Sequence, residues 1–274
     1  MDAKTVTLAG GSGFIGRAIA RRLLASGQIR VRVLTRNPEA ARARLDLPGV
    51  EFVRADIGQP ASLKDALQGA DTIVDAIQFD GYPVENPRRG LTFERIDYAG
   101  TVALVDAAKQ AGVRQLIYIS GAAADENSTH PGFRAKGRAE RAIRFAPVFG
   151  VPGTGRQKVQ PVVVDDLAAC VMLAVSGRGH NGTYEIGGPE LMTFDEMMRI
   201  IMDASGHRRP LFHIPEGIMR TIGGLLEKLP RPMLSRDAVT FVTADNACNI
   251  KPLIDEFGIN LTPARIGMAY LAKK

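Results

Sequence analysis

The run Thr5-Val-Thr-Leu-Ala-Gly-Gly-Ser-Gly-Phe-Ile-Gly16 constrains this chain more than any other. Val6, Leu8 and Ala9 read as a short buried strand, and Arg17 to Ala25 reads as a helix with Ile15, Ile19, Leu23 and Leu24 on one face. The glycines at 10, 11, 13 and 16 fall between the two. In that setting Gly10 allows a tight turn, Gly13 lets the backbone approach a pyrophosphate, and Gly16 lets the helix pack close to the strand. The segment Gly10, Gly11, Ser12, Gly13, Phe14, Ile15 and Gly16 is therefore the expected phosphate grip. Free N–H groups at the helix start and the positive end of its dipole hold the anion there.

The next strand, Arg30 to Thr35, bears on which dinucleotide enters. About 20 residues past the glycines, an acidic side chain would bind the ribose 2′-OH of NAD. Here Thr35, Arg36 and Asn37 stand in that place, and a guanidinium pairs with a 2′-phosphate through two parallel donors. NADP(H) is thus expected over NAD(H). A third strand, Glu51 to Asp56, ends beside Ile57. Asp56 either bonds the adenine amino group while Ile57 packs on the ring, or caps the helix Pro60 to Leu67. A fourth strand, Thr72 to Ala76, should turn Ala76 and Ile77 toward the cofactor, because ligands of open parallel sheets sit beyond the carboxyl ends of the strands. A long helix is expected from Phe93 to Ala111, closed by Gly112, and then a fifth strand from Val113 to Ser120. Strand and helix alternate throughout, which predicts an α/β fold: a Rossmann-type, doubly wound parallel sheet over residues 1–187, followed by a smaller C-terminal α/β lobe over 188–274.

Three phrases carry a family resemblance: Ala9 to Gly16, Ala108-Lys-Gln-Ala-Gly-Val-Arg-Gln-Leu-Ile-Tyr-Ile-Ser-Gly121, and Arg134-Ala-Lys-Gly-Arg-Ala-Glu140. Over about residues 1–188 the chain resembles the atypical, extended-type short-chain dehydrogenases/reductases. Within them it is most similar to the branch of the complex I nucleotide-binding accessory subunit and bacterial NAD-dependent epimerase/dehydratase-like proteins. The resemblance implies that Ser120 holds the substrate oxygen and that Lys136 binds the nicotinamide ribose. The tyrosine that pairs with this lysine in active members is Gly132 here. Either another group such as His130, Tyr98 or water gives the proton, or the reaction needs no phenol, or the nucleotide is structural. A second departure lies near 144–147, where a strand–helix unit of the branch is missing. Either the protein has shed it or the sequence as written omits it; an opened sheet would expose its core, which favours omission.

Beyond the gap, Asp165 or Asp166 is the expected cap of a helix, Thr183 to Gly188 a strand, Thr193 to Glu196 a capping box, and Pro210 to Pro215 a short strand. Ile218, Met219, Ile222, Leu225, Leu226 and Leu229 form an apolar helical stripe that packs on its own lobe or docks on a protein complex or membrane surface. The two cysteines, Cys170 and Cys248, lack metal spacing and read as buried small hydrophobes in a reducing, cytoplasmic setting. No metal site is expected. The chain opens directly into its first strand, so no signal peptide is expected, and no apolar run reaches the ~18 residues of a membrane span. The net charge of +6 is scattered, tryptophan is absent and aromatics are 6 %, so nucleic acid is not an expected partner. The expected partner is a small-molecule substrate.

Overall fold

The computed structural model describes residues 3–80, 84–119, 149–206, 210–226 and 236–269. The chain divides into two units that each draw on separate stretches: Met1–Asp80, Pro87–Ser120 and Val164–Gly182 form one, and Gly81–Asn86, Gly121–Val163 and Thr183–Lys274 the other.

In the first unit, β1 (Lys4–Ala9) is buried along nearly its whole length. A strand covered on both faces needs apolar or small side chains at consecutive positions rather than at alternate ones, which Thr-Val-Thr-Leu-Ala supplies. It pairs in parallel with β2 (Ile29–Thr35) on one side and β4 (Thr72–Asp75) on the other. Further parallel pairs place β3 (Val50–Arg54) outside β2 and β5 (Gln115–Tyr118) outside β4, giving the order β3-β2-β1-β4-β5. Helix α1 (Phe14–Ala25) lays Ile19, Ala20 and Leu23 on one face of this sheet beside α5 (Val164–Val175), with Ala168, Val171 and Val175 in the same core. On the other face, α3 (Ala61–Ala66) and α4 (Ala99–Gln110) bury Leu63, Leu67, Ile73 and Leu104. Each fully buried Leu, Ile or Val of these two layers contributes about 1.5–3 kcal/mol by leaving water. Between β2 and β3, α2 (Pro38–Leu45) starts at Asn37, whose side chain accepts the Ala40 N–H at 3.0 Å. At the amino end of the sheet, Lys4 Nζ donates to the Val175 carbonyl at 2.7 Å, a cation at a helix C-terminus.

Three expectations change here. The helix expected over Phe93 to Ala111 opens as a π-helix, Phe93–Tyr98, and becomes α-helical only at Ala99; over six residues an apolar pattern does not separate a 3.6-residue turn from a wider one. Gly112 closes it as expected, with φ +70°. Neither Asp165 nor Asp166 is a cap, because α5 starts at Val164 and both lie in its first turn. Thr183 to Gly188 is not assigned as a strand: among the described residues the segment has no ladder partner, and the Gly188 N–H donates to the Gln160 carbonyl at 3.3 Å.

In the second unit, β6 (Phe149–Pro152) pairs in parallel with β9 (Leu211–Ile214), and β7 (Lys158–Val159) pairs antiparallel with β8 (Met192–Thr193). Thr193 and Glu196 close the expected capping box at the start of α6 (Phe194–Ser205), which buries Met197, Met198, Ile200, Ile201 and Met202. His213 is held by Asp195 at 3.1 Å. Then follow α7 (Glu216–Leu226), α8 (Arg236–Thr243), α9 (Lys251–Phe257) and α10 (Ala264–Gly267). The stripe on α7 is largely uncovered: Ile218, Ile222 and Leu225 are exposed. Cys170 is buried as expected, whereas Cys248 is only half-buried, its backbone N–H donating to Gln160 Oε1 at 2.9 Å. Among the described residues no helix is long and apolar enough to cross a membrane, and no group of three or more His, Cys, Asp or Glu side chains could hold a metal.

Candidate functional site

The site starts where β1 ends. Gly10 takes φ +78°, and its carbonyl accepts the Gly13 N–H at 2.9 Å, closing a tight turn. A Cβ on Gly10 would overlap the Ala76 carbonyl, lying 2.6 Å from the carbonyl carbon and 2.9 Å from Ile77 N. A Cβ on Gly16 would lie 2.5 Å from Gly11 Cα. Both glycines are thus demanded by backbone packed on backbone. Gly13 is different: its backbone is extended (φ −80°, ψ 179°) and a Cβ would meet only the Gly10 carbonyl oxygen, at 3.3 Å. Its bare Cα opens outward, as a backbone that must approach a ligand requires. Unlike α2 and α6, helix α1 has neither a side-chain cap nor an acidic residue in its first turn. This leaves the positive end of its dipole uncompensated. Gly11 is buried, Ile15 packs against the core, and Phe14 is 74 % exposed.

Thr35, Arg36, Asp56, Ile57, Ala76 and Ile77 lie at or just past the carboxyl ends of β2, β3 and β4. Thr35 ends β2, its hydroxyl accepting the Asn37 N–H at 3.3 Å, and Arg36 beside it is exposed. Ile57 packs over the bare Cα of Gly100, where a Cβ would come within 2.7 Å of Ile57 Cδ1. Asp56 does not cap the following helix, which starts at Ala61 behind Pro60; its Oδ1 accepts the Gly58 N–H at 2.9 Å. Ala76 and Ile77 abut the glycine turn through Gly10. Ser120, Lys136, Gly132 and His130 lie outside the described residues. Tyr98 is 64 % exposed at the end of the π-helix.

The sequence reading missed three residues here. Arg44, from α2, donates through Nη2 to the Ser12 carbonyl at 3.0 Å, bringing a guanidinium to the glycine turn. Nothing in the local pattern announces that contact across 32 positions. Asp75, the last residue of β4, is fully buried; Oδ1 accepts the Ile77 N–H at 3.0 Å and Oδ2 the Thr101 hydroxyl at 2.8 Å. Burial pushes its carboxyl above the usual carboxylate range, against the two hydrogen bonds. A carboxylate ending an apolar strand was the available signal. Tyr118, its partner in register on β5, has its phenol raised by burial and by the carboxylates of Asp75 and Asp97.

A parallel sheet with flanking helices and a glycine turn between its first strand and helix defines a Rossmann-like dinucleotide-binding protein. The chain belongs to the NAD(P)H-binding family, whose profile matches residues 10–146, half of the chain. It is 29 % identical over 258 residues to a (4-alkanoyl-5-oxo-2,5-dihydrofuran-3-yl)methyl phosphate reductase of Streptomyces griseus, covering 83 % of each chain. It is 27 % identical over 271 residues to the mitochondrial NADH dehydrogenase [ubiquinone] 1 alpha subcomplex subunit 9 of Arabidopsis thaliana, covering 84 % of this chain and 66 % of that subunit. An NAD(P)H azoreductase of Xenophilus azovorans is 27 % identical over 237 residues, 76 % of each. Among solved structures, an Escherichia coli NADPH-dependent quinone oxidoreductase complexed with NADPH superposes with TM-score 0.70 at 20 % identity, over 97 % of this chain and 99 % of that one. A Thermotoga maritima UDP-glucose 4-epimerase superposes with TM-score 0.74 at 14 % identity, over 98 % and 97 %. The resemblance to short-chain dehydrogenases/reductases of the epimerase and reductase type therefore holds, and the chain is an NAD(P)H-binding, oxidoreductase-like protein.

Proposed function

We propose that the chain is an NADP(H)-dependent oxidoreductase that works without the usual catalytic tyrosine. The observation that carries the cofactor preference is the end of β2, where exposed Arg36 stands and a carboxylate does not. In this reading the pyrophosphate lies over Gly10 to Gly16 and the 2′-phosphate at Thr35 and Arg36. The adenine lies near Asp56 and Ile57, and the nicotinamide near Ala76, Ile77, Ser120 and Lys136. The room for a pyrophosphate is the open approach beside Gly13, where a Cβ would meet only the Gly10 carbonyl oxygen. Bound NADPH supplies a hydride. The chain's part is to exclude side chains from the phosphates, to bond the substrate oxygen through Ser120 and to hold the nicotinamide ribose through Lys136. With Gly132 in the tyrosine position, the accompanying proton comes from another group or from water. The reductase relatives support an electrophilic acceptor such as an unsaturated carbonyl or an azo compound.

A second reading is a non-catalytic accessory or assembly subunit in which the nucleotide stabilises the fold. The missing phenol, the relative in a respiratory complex and the exposed Ile218, Ile222 and Leu225 on α7 favour it. It puts the C-terminal lobe against a protein complex or a membrane surface; the first reading puts the protein in the cytoplasm. Titration with NADPH and NADH tests the cofactor: NADPH binds tighter, and Arg36→Ala removes roughly ten- to a hundredfold of that preference, the contribution of one charge-assisted hydrogen-bonded pair. Tighter binding of NADH refutes the preference. Bound NADPH that no quinone, carbonyl, enone or azo compound oxidises decides for the second reading.

A further inference from the structure

Among the described residues, Asp75 is the one charged side chain with no exposed surface. Buried carboxyl groups are retained where specific hydrogen bonds compensate their lost hydration, and here the partners show what the group controls. The Ala76 N–H donates to the Ala9 carbonyl at 3.0 Å and the Ile119 N–H donates to the Asp75 carbonyl at 2.8 Å. β4 itself ends at Asp75, and the chain turns there. Oδ1 makes that turn by binding the N–H two residues on, and Oδ2 fastens it to α4 through Thr101. The turned peptide, Ala76 to Ile77, is the surface on which Gly10 is packed with no room for a methyl group. One residue before Thr101, Gly100 carries Ile57 on its bare Cα. A single carboxyl group thus fastens the wall beside the glycine turn to α4.

We propose that Asp75 is a positioning residue for the dinucleotide, holding the Ala76–Ile77 peptide at the height that the glycine turn and the nicotinamide half of the cofactor require. The inference rests on the placement of the nicotinamide given above. An apolar residue at 75 leaves the Ile77 N–H and the Thr101 hydroxyl without their partner and frees the peptide to move. Asparagine preserves both bonds, its amide oxygen accepting from Ile77 and its amide nitrogen donating to the Thr101 hydroxyl.

The test compares intact NADPH with adenosine 2′,5′-bisphosphate, which lacks the nicotinamide half. Asp75→Leu and Thr101→Val weaken NADPH binding roughly tenfold, the worth of one net hydrogen bond to a charged group, and leave the fragment within about twofold. Asp75→Asn binds both as wild type does. Equal losses for cofactor and fragment, or no loss for either, overturn the proposal; should Asp75→Leu not fold, the milder Thr101→Val decides alone. If the wild-type protein prefers NADH, the preference proposed above fails while NADH and AMP replace the probes and the same split still tests Asp75. A wild-type protein that binds no dinucleotide overturns both.

Discussion

Gly13→Ala and Gly16→Ala should separate affinity from stability within one turn. At Gly16 the added Cβ meets backbone, 2.5 Å from Gly11 Cα and 2.9 Å from the Gly10 carbonyl carbon. Backbone cannot swing aside as a side chain does, so the upper end of the overpacking range applies, about 3 kcal/mol. The better helix propensity of alanine returns at most about 1 kcal/mol. The expected net loss is about 2 kcal/mol, or a fall in Tm of ~4–8 °C for a chain of this size. At Gly13 the backbone is already one that alanine adopts and the Cβ stands 3.3 Å from the Gly10 oxygen. Stability should change by no more than about 0.5 kcal/mol, because a weaker cap is offset by a less flexible unfolded chain. The methyl group nevertheless occupies the approach to the first-turn amides. Losing one charge-assisted amide bond to the pyrophosphate, about 1.5–3 kcal/mol, weakens NADPH binding roughly ten- to a hundredfold. Thermal melts of the free proteins and fluorescence titration with NADPH read the two quantities separately. A Gly13→Ala protein that binds NADPH as wild type does would show that the phosphates lie elsewhere. A Gly16→Ala protein as stable as wild type would show that the close packing of α1 on the turn is wrong.

Asp71 accepts the Thr5 N–H at 2.8 Å and pairs with Arg114, which hold its carboxyl below the usual range. A depressed folded value contributes stability above the unfolded pKa of about 3.9 and loses it as pH falls through the folded value. Asp71→Asn should therefore be less stable than wild type at pH 7, with the difference closing in urea titrations run below about pH 4; a difference independent of pH refutes the ionic account. Burial, with Asp166 nearby, pushes the Cys170 thiol up to about 11. At pH 8 the native protein should accordingly be labelled by a maleimide at half-buried Cys248 well before Cys170, as mass spectrometry of Cys170→Ser and Cys248→Ser would read. Equal labelling rates would contradict the burial of Cys170.

What the sequence determined by itself about this protein is local. The strand, the glycine turn and α1 follow from missing Cβ atoms and from apolar periodicity within twenty residues. The helix stop at Gly112 and the capping box of Thr193 and Glu196 follow from groups that satisfy their own neighbours. Because parallel strands present their carboxyl ends together, even the rim from Arg36 through Ile57 to Ala76 was legible before any strand order was known. Tertiary structure alone decided the rest. Thr183 to Gly188 has a strand-like pattern and, among the described residues, no strand paired with it, and Asp56 turns to Gly58 instead of capping a helix. Arg44 reaches Ser12 across 32 positions and Asp75 reaches Thr101 across 26. Such bonds depend on which segments packing brings together, and a residue's sequence neighbours carry no record of that.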